Sequence, residues 1–64
     1  MDTSEVDRLR RLQASRLRQA RIAAGFKSGR AAAMRYHWQV VTYNKHEAGE
    51  RGIGRAAKQY AKRF

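Results

Sequence analysis

Apolar residues along this chain recur every three to five positions, and no stretch of any length alternates in the manner of a strand. Val6, Leu9, Leu12, Leu17, Ala20 and Ala24 form an imperfect helical stripe, so most of the segment from Met1 to Gly25 is expected to be helix. Ser4 stands where an N-cap belongs, with Glu5 and Asp7 in the first turn, where the positive end of the helix dipole favours carboxylates. Gln13-Ala14-Ser15-Arg16 is the weak point of the stripe. Two readings stay open there: one long helix, or an extension over residues 4–12 joined loosely to a shorter helix over 13–24. Gly25 supplies the stop, because glycine enters the left-handed region without a Cβ penalty.

Phe26 then reads as a core plug, and Ser28 as the N-cap of a second helix over residues 29–36. Its Ala31-Ala32-Ala33 run combines high helix propensity with little bulk, so another helix can approach closely. The bulk has to come from Phe26, Met34, Tyr36, Trp38 and Tyr43. A compact junction at Tyr36-His37-Trp38 leads at once into a third helix over residues 40–48, with Gln39 near its start and Gly49 just past its end. Two short helices joined so tightly make a helix-turn-helix, whose second helix can enter a DNA major groove. Tyr43, His46 and Glu47, at i, i+3 and i+4, are expected to face inward, leaving Val40, Val41, Asn44 and Lys45 outward. Adjacent outward valines suit a covered face, and the thymine methyl group is an apolar feature of the major groove.

Gly49-Glu50-Arg51-Gly52 reads as a turn. Ile53 is expected to open a last amphipathic helix, with Ile53, Ala57, Tyr60, Ala61 and Phe64 on one face and Arg55, Lys58, Lys62 and Arg63 opposite. There is no proline, internal repeat or low-complexity linker. The pattern predicts an all-α fold of four or five helices.

Charge sharpens this picture more than any other feature of composition. Fifteen Lys plus Arg against five Asp plus Glu give 64 residues a formal net charge of +10. Such an imbalance costs self-repulsion in the folded state and points to a polyanionic partner, nucleic acid first and an anionic membrane surface second. Seven basic and three acidic residues precede Ser28, and eight basic and two acidic follow from it, so this is no basic tail on a neutral domain. A chain this short forms one domain and buries only about 60% of its unfolded surface, which disfavours a large catalytic cleft. The absence of Cys removes disulfides and cysteine-ligated zinc from consideration. His37 and His46 lack the spacing or carboxylate company of a metal site. No apolar run approaches the roughly 20 residues of a membrane span, and the N-terminus does not read as a signal peptide. No acid/base pair, nucleophile constellation or cofactor motif is visible. A non-enzymatic, cytoplasmic protein without cofactor or metal is the expectation.

From Leu17 to Phe64 the pattern resembles the Cro/CI-type helix-turn-helix repressors, also called the XRE family. The resemblance rests on residues 18–26 at the end of the first helix and on Ala33 at a small-residue position of the second. It continues through Thr42-Tyr43, through His46-Glu47-Ala48-Gly49-Glu50, and over residues 57–64 as the fourth helix. It implies a lambda-repressor-like domain over residues 13–64, lacking the usual last helix, preceded by a helical extension or arm over 1–12. It also implies that Val40, Val41, Thr42 and Lys45 read bases, with Gln39 at the helix start and Asn44 beside the backbone. Ser28 and Gly29 match a phosphate-contacting helix start. Beside the resemblance, the charges of Arg30, Arg51 and Arg55 make them expected phosphate contacts. Arg21 and Glu47 match a partly buried ion pair between the first and third helices. The chain departs from the family in carrying His37 and Gly29 where glycine and glutamine are usual, and in the extra Lys27.

The implied function is a sequence-specific transcriptional regulator of phage or mobile-element type. It would act at the nucleoid as a homodimer on double-stranded DNA. Two alternatives use the same features: an antitoxin or co-regulator that binds a protein through Val6, Leu9 and Leu12, and a nonspecific nucleoid-coating protein. Trp38, Tyr43, Tyr60 and Phe64 are expected in the core rather than as base-stacking platforms.

Overall fold

Nothing in Gln13-Ala14-Ser15-Arg16 obstructs a helical backbone, since the segment holds neither glycine nor proline, and residues 3–23 form one unbroken helix. A computed structural model describes residues 3–64 as four helices in the order α1 (Thr3–Ala23), α2 (Gly29–Arg35), α3 (Val40–Ala48) and α4 (Ala56–Arg63), with no strand among the described residues. Met1 and Asp2, the start of the expected arm, lie outside the described residues. The helix runs through position 12 into 13 without a break, so residues 3–12 and 13–23 belong to one helix. Ser4 lies inside the first turn of α1 and is therefore not its N-cap.

Three helices end in the same way. After α1, Gly25 N–H donates to the Ile22 carbonyl and Phe26 N–H to that of Arg21; after α2, His37 donates to Met34 and Trp38 to Ala33; after α3, Gly49 donates to His46 and Glu50 to Lys45. This pairing of hydrogen bonds is the Schellman ending, and it requires a left-handed residue in the middle. Gly25 and Gly49 meet that demand at φ 94° and 77°, whereas after α2 it falls on His37 at φ 60°. Each ending sends its next residue inward or sideways at once, which is how Phe26 and Trp38 reach the core within a residue of a reversal.

The core gathers Leu17 of α1, Ala33 of α2, Tyr43 of α3, Ile53 and Tyr60, with Trp38, Val40, Ala56 and Phe64 packed around them. Ala32 and Ala33 are fully buried, and their small side chains let α2 seat closely. Trp38 supplies the missing bulk as an aromatic hub. It stacks on Tyr43 at 5.7 Å between ring centroids and meets Tyr60 edge-on at 4.7 Å and Phe64 at 5.5 Å. Edge-to-face pairs at these separations add about 0.5–1.5 kcal/mol each beyond their buried area. Phe26 packs edge-on against Tyr36 at 5.6 Å, and Tyr36 meets Trp38 at 5.0 Å, so the same cluster continues to the exit of α1.

Several expected positions move. Met34 is 59% exposed and contributes no core bulk. Leu9 and Leu12 are also exposed on the leading turns of α1, which overhang the remainder of the molecule, and Ala24 is exposed just past the other end of that helix. The last helix begins at Ala56, three residues later than expected: Gly54 takes φ 54° and breaks the run, so Ile53 is buried from the preceding turn. Ala57 and Ala61 lie exposed along α4.

Candidate nucleic-acid interface

α2 and α3 are joined by the four residues 36–39. The Ser28 hydroxyl oxygen accepts a hydrogen bond from Ala31 N–H at 3.1 Å and so fixes the start of α2. At the start of α3 Gln39 adopts extended backbone, and the Thr42 hydroxyl donates to its side-chain carbonyl at 2.5 Å. That bond holds Gln39 over the first turn and leaves its amide N–H₂ free of this partner.

Two anchors hold α3 from behind. Arg21 donates through Nε and Nη2 to the Glu47 carboxylate at 2.7–3.1 Å, and its Nη1 donates to the Phe26 carbonyl at 2.9 Å. Both ionic side chains are largely shielded, at 7% and 13% exposure, so one guanidinium ties α3 and the exit of α1 together. The second anchor is His46, whose Nδ1 lies 2.8 Å from the buried Tyr60 hydroxyl and links α3 to α4. Burial, and then the positive charge of Arg51, hold the His46 pKa below the ordinary histidine value. Tyr43 between these anchors is fully buried. Its hydroxyl makes no hydrogen bond of ordinary geometry, yet burial and the neighbouring Glu47 carboxylate push its ionisation above the usual tyrosine range.

With Tyr43 and His46 buried, the opposite face of α3 presents Val41, Asn44, Lys45 and Ala48, all exposed, and Val41 at 62%. Ala48 completes this face at i+7 from Val41, a place that helical spacing alone would have identified. Val40 does not belong to it. Three positions before Tyr43, it is half-buried and packs on the core, which corrects its expected outward, base-facing placement. Thr42 is half-buried on the flank, with its hydroxyl engaged by Gln39.

The start of α2 meets this helix closely. A Cβ built on Gly29 would lie 2.7 Å from Asn44 Oδ1, 2.9 Å from the Tyr43 ring and 3.1 Å from Glu47 Oε2. Glycine here is therefore a packing requirement of the α2–α3 contact, and the glutamine of the resembling family could not be placed without a shift. Asn44 turns its amide oxygen toward this junction. Arg30 follows Gly29 and is exposed, as are Arg51 in the turn after α3 and Arg55 just before α4. The structure thus brings Gln39 to Thr42, Gly29 to Asn44 and Arg21 to Glu47. Among the described residues no three His, Cys, Asp or Glu side chains gather to hold a metal ion, and no helix is long and apolar enough to cross a membrane.

Comparison with protein-family models, curated proteins and solved structures finds no match for this chain. Its functional reading therefore rests on the α2–α3 unit and its charge.

Proposed function

We propose that the chain is a sequence-specific double-stranded DNA-binding regulator, a repressor of the Cro/CI type from a phage or mobile element, which inserts α3 into the major groove. The observation that carries this reading is the two-sidedness of α3. One side is fixed by Glu47 and His46, while the other offers Val41, Asn44, Lys45 and Ala48 to the outside on a chain of net charge +10. An anchored helix whose outer side carries Lys45 and a bare valine, on a strongly basic chain, suits a groove in which phosphates attract and thymine methyls reward apolar contact.

In this reading Lys45, Asn44 and Gln39 supply polar contacts to base edges or the adjacent backbone, and Val41 supplies the apolar one. Thr42 acts through the orientation of Gln39. Arg30, Arg51 and Arg55 contribute phosphate attraction, which adds affinity and salt dependence but carries no sequence information. Two copies would set two α3 helices in successive major grooves about 34 Å apart on a near-palindromic site.

Selection of bound duplexes from a random pool, followed by titration of the winners at fixed salt, tests the proposal. A recovered site preferred over random duplex by roughly a thousandfold is the expected result. Preference of only a few-fold would reduce the protein to a nonspecific DNA coat, and no binding at low salt would remove nucleic acid altogether.

A further inference from the structure

An apolar groove of about 240 Å³ runs between α1 and α4, on a part of the molecule that the DNA-reading face does not use. Leu17, Ala20, Ile53, Ala57, Ala61 and Phe64 line it, and Arg16 also belongs to its wall. Lys58, exposed, follows Ala57 on α4. The same molecule carries an unpaired apolar surface elsewhere. The overhanging start of α1 exposes Leu9 by 53% and Leu12 by 47%. Glu5, Leu9, Leu12 and Arg16 follow one another at four, three and four residues, so they lie on one stripe of α1 that leads straight into the groove wall.

Charge decides what can fill the groove. The first seven positions hold Asp2, Glu5 and Asp7 and no Lys or Arg; from Arg8 onward there are fifteen basic residues against two acidic ones. A groove with Arg16 in its wall, on a chain that is basic from Arg8 onward, favours an apolar helix with carboxylates beside its anchors. The start of α1 is such a helix. It cannot fold back onto its own groove, because α1 is one rigid rod of 21 residues, about 31 Å long, whose later turns form the groove wall. A second copy meets the requirement.

We infer that two copies of this chain pair through α1, antiparallel, each laying the Glu5–Leu9–Leu12 stripe of its overhang along the α1–α4 groove of the other. The arrangement is two-fold and reciprocal, so both grooves and both overhangs are covered by one operation and the contact closes on itself rather than propagating a filament. Antiparallel α1 helices bring the acidic start of each beside the basic middle of the other. Their dipoles also oppose favourably. This deepens the reading of two copies on one DNA site, yet it concerns surfaces remote from the bases and is tested without DNA, so either can fail alone.

The test is sedimentation equilibrium of the full chain, free of DNA, at moderate salt. Wild type is expected to approach twice the 7.4 kDa chain mass at high micromolar concentration. Leu9→Glu in the overhang and Ala61→Glu in the groove alter exposed residues, and each should raise the dimer dissociation constant at least tenfold while circular dichroism shows unchanged helix. Glu5→Lys should weaken pairing, and Glu5→Lys with Arg16→Glu should restore it. A wild-type monomer, or a dimer indifferent to both Leu9→Glu and Ala61→Glu, would overturn the inference. So would a dimer sensitive to Leu9→Glu alone, which would place the overhang somewhere other than the groove.

Discussion

Arg21 Nη2 reaches Glu47 Oε1 at 2.7 Å across 26 residues of sequence, and the same guanidinium closes the exit of α1 on the Phe26 carbonyl. The pair therefore sets the angle of α3 and the path into α2 together. Removing either partner strands a shielded charge, at a cost of about 3–5 kcal/mol. Chemical denaturation of Arg21→Ala and Glu47→Ala should show losses of that size. A double Arg21→Met, Glu47→Leu variant should recover most of it, because the pair has already been desolvated and apolar packing replaces it without an orphaned charge. Additive losses in the double variant would instead assign the cost to packing around each residue.

His37 is the one residue outside glycine that takes a positive φ among the described residues, at 60°. It does so because the Schellman ending of α2 demands a left-handed residue, and the reward is the insertion of Trp38. For a side chain with a Cβ that conformation costs about 1–2 kcal/mol. His37→Gly should therefore raise stability by about 1 kcal/mol, once the greater freedom of glycine in the unfolded chain is set against the relief of strain. Thermal melts of the two proteins measure this. A loss of stability would show that the His37 side chain makes a contact worth more than its strain.

The bounds of α2 and α3 were legible because their signals are local: Ser28 as a cap, Gly49 as a stop, small residues between them. The orientation of α3 was legible from Tyr43, His46 and Glu47, but the valine pair drew Val40 outward although it stands at i−3 from Tyr43 and so shares its flank. The start of α4 was hidden, since Ile53 fits helical spacing to Ala57 even though Gly54 breaks the backbone between them. Periodicity likewise marks Leu9 and Leu12 as apolar without saying whether anything lies opposite them. Gly29 is the plainest case of a tertiary reason: only the approach of Asn44 and Tyr43 explains it.

That approach carries its own consequence. In Gly29→Ala the added methyl meets the Tyr43 ring, which is fixed in the core, as well as the more mobile Asn44 amide. Overpacking should outweigh the gain in helix propensity and cost about 1–3 kcal/mol. Adding Asn44→Ala should return part of the loss, since it removes the nearest atom but leaves the ring. Denaturation midpoints of the single and double variants separate the two contacts.

His46 makes stability depend on pH. Its pKa in the folded protein lies below the ordinary 6.5, through burial first and Arg51 second, while in the unfolded chain it titrates normally. The unfolded state thus takes up a proton first as pH falls. Stability is fully present above about 6.5 and declines below it until the folded-state pKa is passed. Melting temperature should therefore drop between pH 8 and pH 5.5, and His46→Gln should flatten that drop whatever it costs at pH 8. An unchanged slope in His46→Gln would assign the pH dependence to another group.

The face of α3 predicts two classes of DNA-binding variant. Val41→Ala and Lys45→Ala remove exposed groups from a helix whose backbone is held by Glu47 and His46 on the other side, so folding should be untouched. Each should change affinity for a selected duplex by about 1–3 kcal/mol while affecting random duplex much less, because base-edge contacts are made on the right sequence alone. Arg55→Ala lies off this helix and should weaken binding to every sequence alike, lowering the slope of log affinity against log salt by about 1. Anisotropy titrations of each variant against selected and random duplex, across a range of salt, distinguish the classes. A uniform loss from Val41→Ala would take it out of the groove, and a sequence-dependent loss from Arg55→Ala would move the reading surface toward the start of α4.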